Sequence, residues 1–212
     1  PDTDALPPFD VNFETEKTER TVHKDQDGND QFLPYVRDPE TLARAWAKPG
    51  TPDLEHRIGG LEKEHETGNV SYAAENHEKM VKLRAEKVQR VAQDIPPTHV
   101  HGHADGDLLV LGWGSTKGAI EEATERACED GLRVGSVVLR HVWPLPADLA
   151  DVIDRFDQVL VPELNNGQLI RVLRDQYPSR TFVPLNKIQG RPFRAEEIVE
   201  KIGDLLGEPA PA

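Results

Sequence analysis

From residue 98 onward the apolar positions fall into two alternating patterns. Leu108–Leu111, Val134–Leu139, Gln158–Pro162 and Thr181–Leu185 are short and mainly apolar, with β-branched residues prominent in Val134–Leu139, and the continuous run Leu108–Leu111 fits a strand covered on both faces. Between them, apolar residues recur at spacings of three and four. In Lys117–Asp130 the apolar side is Ala119, Ile120, Ala123, Ala127 and Cys128, leaving Glu121, Glu122, Glu125, Arg126 and Glu129 for water. Further helices are predicted over Ala147–Phe156, from Leu169 to Gln176, and over Ala195–Leu206. Gly112 and Gly114 permit a tight turn after the first strand, Ser115 or Thr116 can cap the helix that follows, and Gly131 can end it. Strand–helix alternation at this spacing predicts an α/β fold, a parallel sheet with helices on both faces.

Upstream the pattern breaks down. Residues 1 to about 70 carry Pro7, Pro8, Pro34, Pro39, Pro49 and Pro52 together with Gly28, Gly50, Gly59, Gly60 and Gly68, so regular elements there must be short. A brief strand over Phe32–Val36 and one short helix over Pro39–Ala47, with Leu42 and Trp46 on one side, are expected. The polar run from Phe13 to Asp30 reads as an exposed loop or flexible hairpin. Such a stretch has too few apolar residues for its own core, so it wraps a partner surface or is the tail of another domain. From Ala74 to Asp94 a long helix is predicted, with Met80, Leu83 or Arg84, Val88 and Val91 as its stripe, ended by Pro96 and Pro97 and serving as a connector. The expected divisions are thus an irregular segment (1–73), a connector helix (74–97) and an α/β domain (98–212).

Composition narrows the function classes. The 212 residues hold 38 acidic against 25 basic side chains, a formal charge of -13, which repels phosphate backbones and argues against nucleic acid. No apolar run reaches the length of a membrane span. The single cysteine, Cys128, excludes an internal disulfide and cysteine-rich ligation of zinc or an iron–sulfur cluster, and a reducing cytoplasm is the simplest setting. The chain starts at Pro1 and its one methionine is Met80, so it is expected to be a piece of a longer polypeptide.

Candidate chemistry gathers in the loops that leave the carboxyl ends of the strands, where open α/β sheets place binding groups. Gly112, Trp113, Gly114, Ser115 and Thr116 form either a phosphate cradle at a helix N-terminus or a tight turn with capping hydroxyls; the loop lacks the Lys-Ser/Thr of a P-loop and a full dinucleotide fingerprint. His141 and Trp143 lie in the Arg140–Pro146 loop, where the imidazole suits acid–base work or an interface. Glu163, Asn165 and Asn166 make either a polar site or a cap for the next helix. Lys187 stands in the loop after the fourth strand. His99, His101 and His103 alternate without an acidic or cysteine ligand beside them and read as a solvent-facing run, while Cys128 reads as a small core residue. No catalytic residue and no metal site is expected in this chain.

The ordered motifs LLVLGWGSTKGAI, LRHVWPLP, VLVPELNNGQL and NKIQGRPF resemble the C-terminal part of the alpha subunit of 2-oxoglutarate:ferredoxin oxidoreductases, members of the 2-oxoacid:acceptor oxidoreductases. PGTPDLEHRIGGLE and NVSYAAENHEKMVKLRAEKV resemble the same subunit's join between its pyrimidine-binding domain and its last domain. The resemblance implies a transketolase C-terminal-like domain: three layers around a five-stranded, mostly parallel sheet whose first strand is antiparallel and falls within His99–His103. It implies that 1–73 is the tail of a pyrimidine-binding domain lying upstream. It further implies an enzyme that converts 2-oxoglutarate and coenzyme A to succinyl-CoA and CO2 and passes electrons to ferredoxin. Thiamine diphosphate, magnesium and an iron–sulfur cluster would lie on the beta subunit, and none on this fragment. Expected partners are that beta subunit, a second alpha subunit and, through the whole enzyme, ferredoxin. Two other readings stand beside it. One is a free-standing α/β ligand-binding or regulatory module. The other is the C-terminal domain of a dehydrogenase E1 beta subunit or of transketolase, against which the forms LRHVWPLP and NKIQGRPF weigh.

Overall fold

The computed structural model describes residues 23–24, 30–47 and 51–207. The chain divides into two compact units, Pro1–Arg90 and Val91–Ala212.

In the second unit β3 (His101–Gly102), β4 (Gly106–Trp113), β5 (Val134–Leu139), β6 (Phe156–Glu163) and β7 (Phe182–Asn186) form one sheet in the order β3-β5-β4-β6-β7. All pairs are parallel except β3 with β5, so the α/β class, the five strands and the antiparallel first strand inside His99–His103 hold. The helices are α2 (Lys117–Glu129), α3 (Leu149–Ile153), α4 (Leu169–Gln176) and α5 (Ala195–Leu206). Alternation along β4 decides the layers. Leu108 and Val110 face Ile120, Ala123, Ile198 and Ile202 of α2 and α5, while Leu109 and Leu111 face Leu149, Ile153, Ile170 and Leu173 of α3 and α4. All four β4 side chains are fully buried. β7 lies at an edge, the position where a strand tolerates a residue without an N–H, here Pro184.

One helix is shorter than its pattern predicts. α3 covers only Leu149–Ile153, because Phe156, expected on its buried side, instead opens β6 and pairs with Gly106. Arg155 O accepts the Gly106 N–H at 3.1 Å, so the sheet extends into what the periodicity alone assigns to the helix.

In the first unit the described elements are β1 (His23–Lys24), β2 (Asp30–Gln31) and α1 (Ala74–Arg90). β1 and β2 pair antiparallel across part of the polar run, most of which lies outside the described residues. Neither expected element over 32–47 forms. The Asp38 carboxylate accepts the N–H of Glu40 at 3.0 Å, and the N–H and hydroxyl of Thr41 at 2.7 and 2.9 Å. This turn competes with a helix for the same N–H groups, and the chain reverses through Leu42 at φ 56° to bridge Arg37 with Arg44. Arg90, in the last turn of α1, holds the turn from outside through the carbonyls of Pro39 and Glu40, both at 2.6 Å. Leu42 is buried as expected, whereas Trp46 is 78% exposed. α1 ends at Arg90 and continues as a 3-10 turn over Val91–Asp94; of its expected stripe Met80 is buried, and Val88 and Val91 are exposed.

Candidate functional site

β4 and β6 are neighbours, yet the helices that follow them leave to opposite faces, α2 to one side and α4 to the other. Strand ends whose connections part in this way open a crevice between them, the usual ligand position in such sheets. Two of the residues singled out in the sequence meet there. Trp113 ends β4 and donates its indole N–H to Glu163 Oε1 at the end of β6, at 3.2 Å. The same carboxylate accepts the N–H of Leu169 at 2.8 Å and that of Ile170 at 3.1 Å, at the start of α4. Glu163 is fully buried, and a helix N-terminus offers a carboxylate both unpaired N–H groups and a favourable dipole. Its oxygens are therefore committed to holding α4 and the indole in place.

The neighbouring residues are engaged in similar ways. Asn165 Oδ1 accepts the N–H of Gln168 at 2.9 Å, closing the loop, and Asn166 faces solvent. Gly112 answers a packing need: a Cβ there would lie 2.2 Å from Ile120 Cδ1, so the glycine lets α2 approach β4. Gly114 takes φ +63° to turn the chain, and the Thr116 hydroxyl donates to Trp113 O at 2.9 Å. Ser115 is exposed. Lys187 Nζ donates to both oxygens of Glu197, at 2.8 and 2.7 Å, and to Pro192 O at 2.9 Å, tying the loop after β7 to the first turn of α5. The Arg194 N–H first, and then Lys187, hold the Glu197 carboxyl below the usual carboxylate range.

Beside these contacts, at the β5 edge, lies a cleft of about 730 Å³. Trp113, Gly114, Lys117, Arg140 and His141 line it with Ser136–Leu139 and the segment Ile95–His99. That segment is anchored by Asp148, whose two carboxylate oxygens accept the Thr98 N–H and hydroxyl, each at 2.7 Å. The structure thus brings Trp113, Gly114 and His141 into one cleft, with Glu163 behind the indole. Trp143, Asn165, Asn166 and Lys187 do not line it.

Among the polar lining residues, His99 and His101, read as a solvent-facing run, and Lys117, Glu121 and Ser136 lay outside the sequence candidates. A signal existed for Ser136, the one hydroxyl inside the apolar run of β5; its Oγ is buried and makes no hydrogen bond. His101 Nε2 lies 3.2 Å from Glu125 Oε1 but lacks hydrogen-bond geometry, so the two attract only when the ring is protonated. Among the described residues no three His, Cys, Asp or Glu side chains converge as a metal ion requires.

Residues 106–198, from β4 into α5, match the family of pyruvate:ferredoxin oxidoreductase core domain II. The 2-oxoglutarate oxidoreductase subunit KorA of Mycobacterium tuberculosis is 42% identical over 199 residues, covering 93% of this chain and 28% of that protein. The chain belongs to the 2-oxoacid:ferredoxin oxidoreductase family. The 2-oxoglutarate synthase subunit KorA of Methanothermobacter thermautotrophicus is 27% identical over 178 residues, covering 80% of the chain and 47% of the relative. A solved 2-oxoglutarate:ferredoxin oxidoreductase from Magnetococcus marinus, with 2-oxoglutarate, coenzyme A and succinyl-CoA bound, superposes with a TM-score of 0.75 at 32% identity, over 87% of this chain and 32% of that one. The chain therefore spans less than half the length of these family members.

Proposed function

We propose that the chain is the C-terminal part of the alpha subunit of a 2-oxoglutarate:ferredoxin oxidoreductase, and that its own role there is structural rather than catalytic. In this reading 98–212 is a transketolase C-terminal-like domain, 1–73 is the tail of an upstream pyrimidine-binding domain and 74–97 joins them. The enzyme converts 2-oxoglutarate and coenzyme A to succinyl-CoA and CO2 and reduces ferredoxin, in the cytoplasm. Identity of 42% across 93% of the chain with the Mycobacterium tuberculosis subunit carries the assignment.

Thiamine diphosphate with magnesium, and an iron–sulfur cluster, belong on the beta subunit in this proposal. The described residues do not fit the diphosphate–magnesium unit: no acidic cluster converges, and Glu163, the buried carboxylate at the strand ends, is committed to three N–H groups. An interface role is supported at the carboxyl edge of the sheet, where Trp143 and Ile188, on the loops after β5 and β7, are 51% and 68% exposed. Large apolar side chains held in water on loops at one edge of the sheet are what a covered surface presents before it is covered.

The test is the full-length subunit co-purified with its beta partner and assayed for ferredoxin reduction dependent on 2-oxoglutarate and coenzyme A. Trp143→Ala with Asn166→Ala should lower assembly by light scattering and turnover in parallel. Full assembly and turnover in that double variant would return the loops to simple turns. Reduction that depends on a different 2-oxoacid would remove the substrate assignment. Calorimetry of the 212-residue chain with thiamine diphosphate and magnesium should show no micromolar binding, and such binding would move the cofactor onto this chain.

A further inference from the structure

We infer that the cleft beside β5 is a binding site for a small organic anion, whose phosphate or carboxylate is held by the Ser136 hydroxyl, Lys117 and Arg140. Ser136 starts the argument. Its residue is 1% exposed and its Oγ has no partner, although a buried hydroxyl left unpaired is unfavourable and the rest of β5 holds no polar side chain. A hydroxyl kept in such a place and lining a cleft is available to a ligand.

The cations point the same way. Arg140 is exposed at the cleft and makes no hydrogen bond or ion pair with the described residues, and Lys117 has only a loose 3.8 Å contact with Glu121. In a chain of net charge -13 two weakly engaged cations line this one cleft, and an ammonium, a guanidinium and a hydroxyl are the donor types that bind an oxyanion. Glu121 also lines the cleft, so the anionic group belongs toward Arg140 and a neutral donor of the ligand toward Glu121. Pro97, Val138, Val142 and the Trp113 indole supply apolar surface for a carbon skeleton. The volume of about 730 Å³ suits an organic molecule and exceeds what an inorganic ion needs. This site is independent of the enzyme assignment above and would hold for any protein that carries the chain.

Two probes separate the anion types: inorganic pyrophosphate for phosphates and citrate for carboxylates, each titrated into the 212-residue chain while amide resonances are followed by NMR. Saturable shifts at Ser136, Val138, Lys117 and Arg140 with either probe are expected, and the tighter probe names the ligand class. Lys117→Met and Arg140→Gln, both at exposed positions, should each weaken that binding about tenfold, the effect of one lost charge-assisted hydrogen bond. Ser136→Ala should weaken it several-fold while leaving the midpoint of thermal unfolding unchanged or higher, a pair of effects that a purely structural serine would not give. No saturable shift with either probe up to about 10 mM, the weak end of specific binding, overturns the proposal. Equal affinity in the Lys117→Met and Arg140→Gln double variant overturns it as well.

Discussion

The two units of this chain are held together by different physics. In Val91–Ala212 two apolar clusters flank one sheet, and the hydrogen bonds are mainly strand ladders and helices. In the first unit the buried apolar side chains among the described residues are Pro34, Leu42, Leu54 and Met80, and single polar groups fix the chain path. Asp38 makes one turn, and Asn76 bridges His65 N and Lys63 O. Lys63, only 3% exposed, donates to the carbonyls of Gly59 and Leu61 at 2.6 and 2.5 Å. A packed core tolerates exchange among apolar side chains of similar volume; a scaffold of specific hydrogen bonds depends on each donor and acceptor.

The largest expected effect tests the sheet. Leu109→Ala empties a position with no exposure between β4 and two helices and should cost about 2–5 kcal/mol in chemical denaturation of the second unit. A cost below about half a kcal/mol, the size of an ordinary surface substitution, would place β4 away from the core. Next comes Glu163→Gln, which keeps the shape but offers one carbonyl oxygen where two carboxylate oxygens received three N–H groups. A loss of about 2–3 kcal/mol is expected, with a red shift of Trp113 emission as the indole loses its partner. An unchanged emission maximum would mean that the indole does not depend on Glu163.

In the first unit, Lys63→Met removes an ammonium that satisfies two carbonyls and should cost about 1–3 kcal/mol, read as faster amide exchange over residues 59–70. Amides of β4 and β6 should keep their protection. If they accelerate equally, the two units unfold as one and the contrast between them fails.

The same contrast explains what could be read in advance. The strands and α2, α4 and α5 were legible because burial on both faces, or on one helical side, repeats along the chain, as in Leu108–Leu111 and in Ile198 with Ile202. Phe156 was assigned to a helix because its partner, Gly106, lies 50 residues away and leaves no local trace. The stretch around Asp38 was misread as helical for the opposite reason: one side chain capturing Thr41 outweighs nine residues of weak propensity. In the site, Trp113 and Glu163 were found because loops at strand ends are where to look, but their mutual hydrogen bond was not visible. Ser136 and Lys117 escaped because one sits within a strand and the other on a helix.

Acidification gives the smallest effect and the most selective one. In the first unit hydrogen bonds from the Thr41 N–H and hydroxyl lower the Asp38 carboxyl, and Arg84 and then His77 lower that of Glu62. Burial pushes the Glu64 carboxyl up, but the N–H and hydroxyl of Thr67 with the Glu66 N–H more than offset it, and the net direction is down. A carboxyl lowered in the folded state contributes stability that is fully present above its unfolded value, about pH 4. That stability is lost as the pH falls through the lower folded value. All three groups support the polar scaffold that replaces a core, so turns 38–44 and 62–70 should loosen below about pH 4 while the β4–β6 ladder persists. In the second unit the lowered carboxyls are Glu196 and Glu197, both in the first turn of α5, so only that turn should respond with them. Residue-resolved amide exchange at neutral and acid pH separates the outcomes, and simultaneous loss of protection in the central strands would mean that the hydrogen-bonded unit is no more acid-sensitive than the packed one.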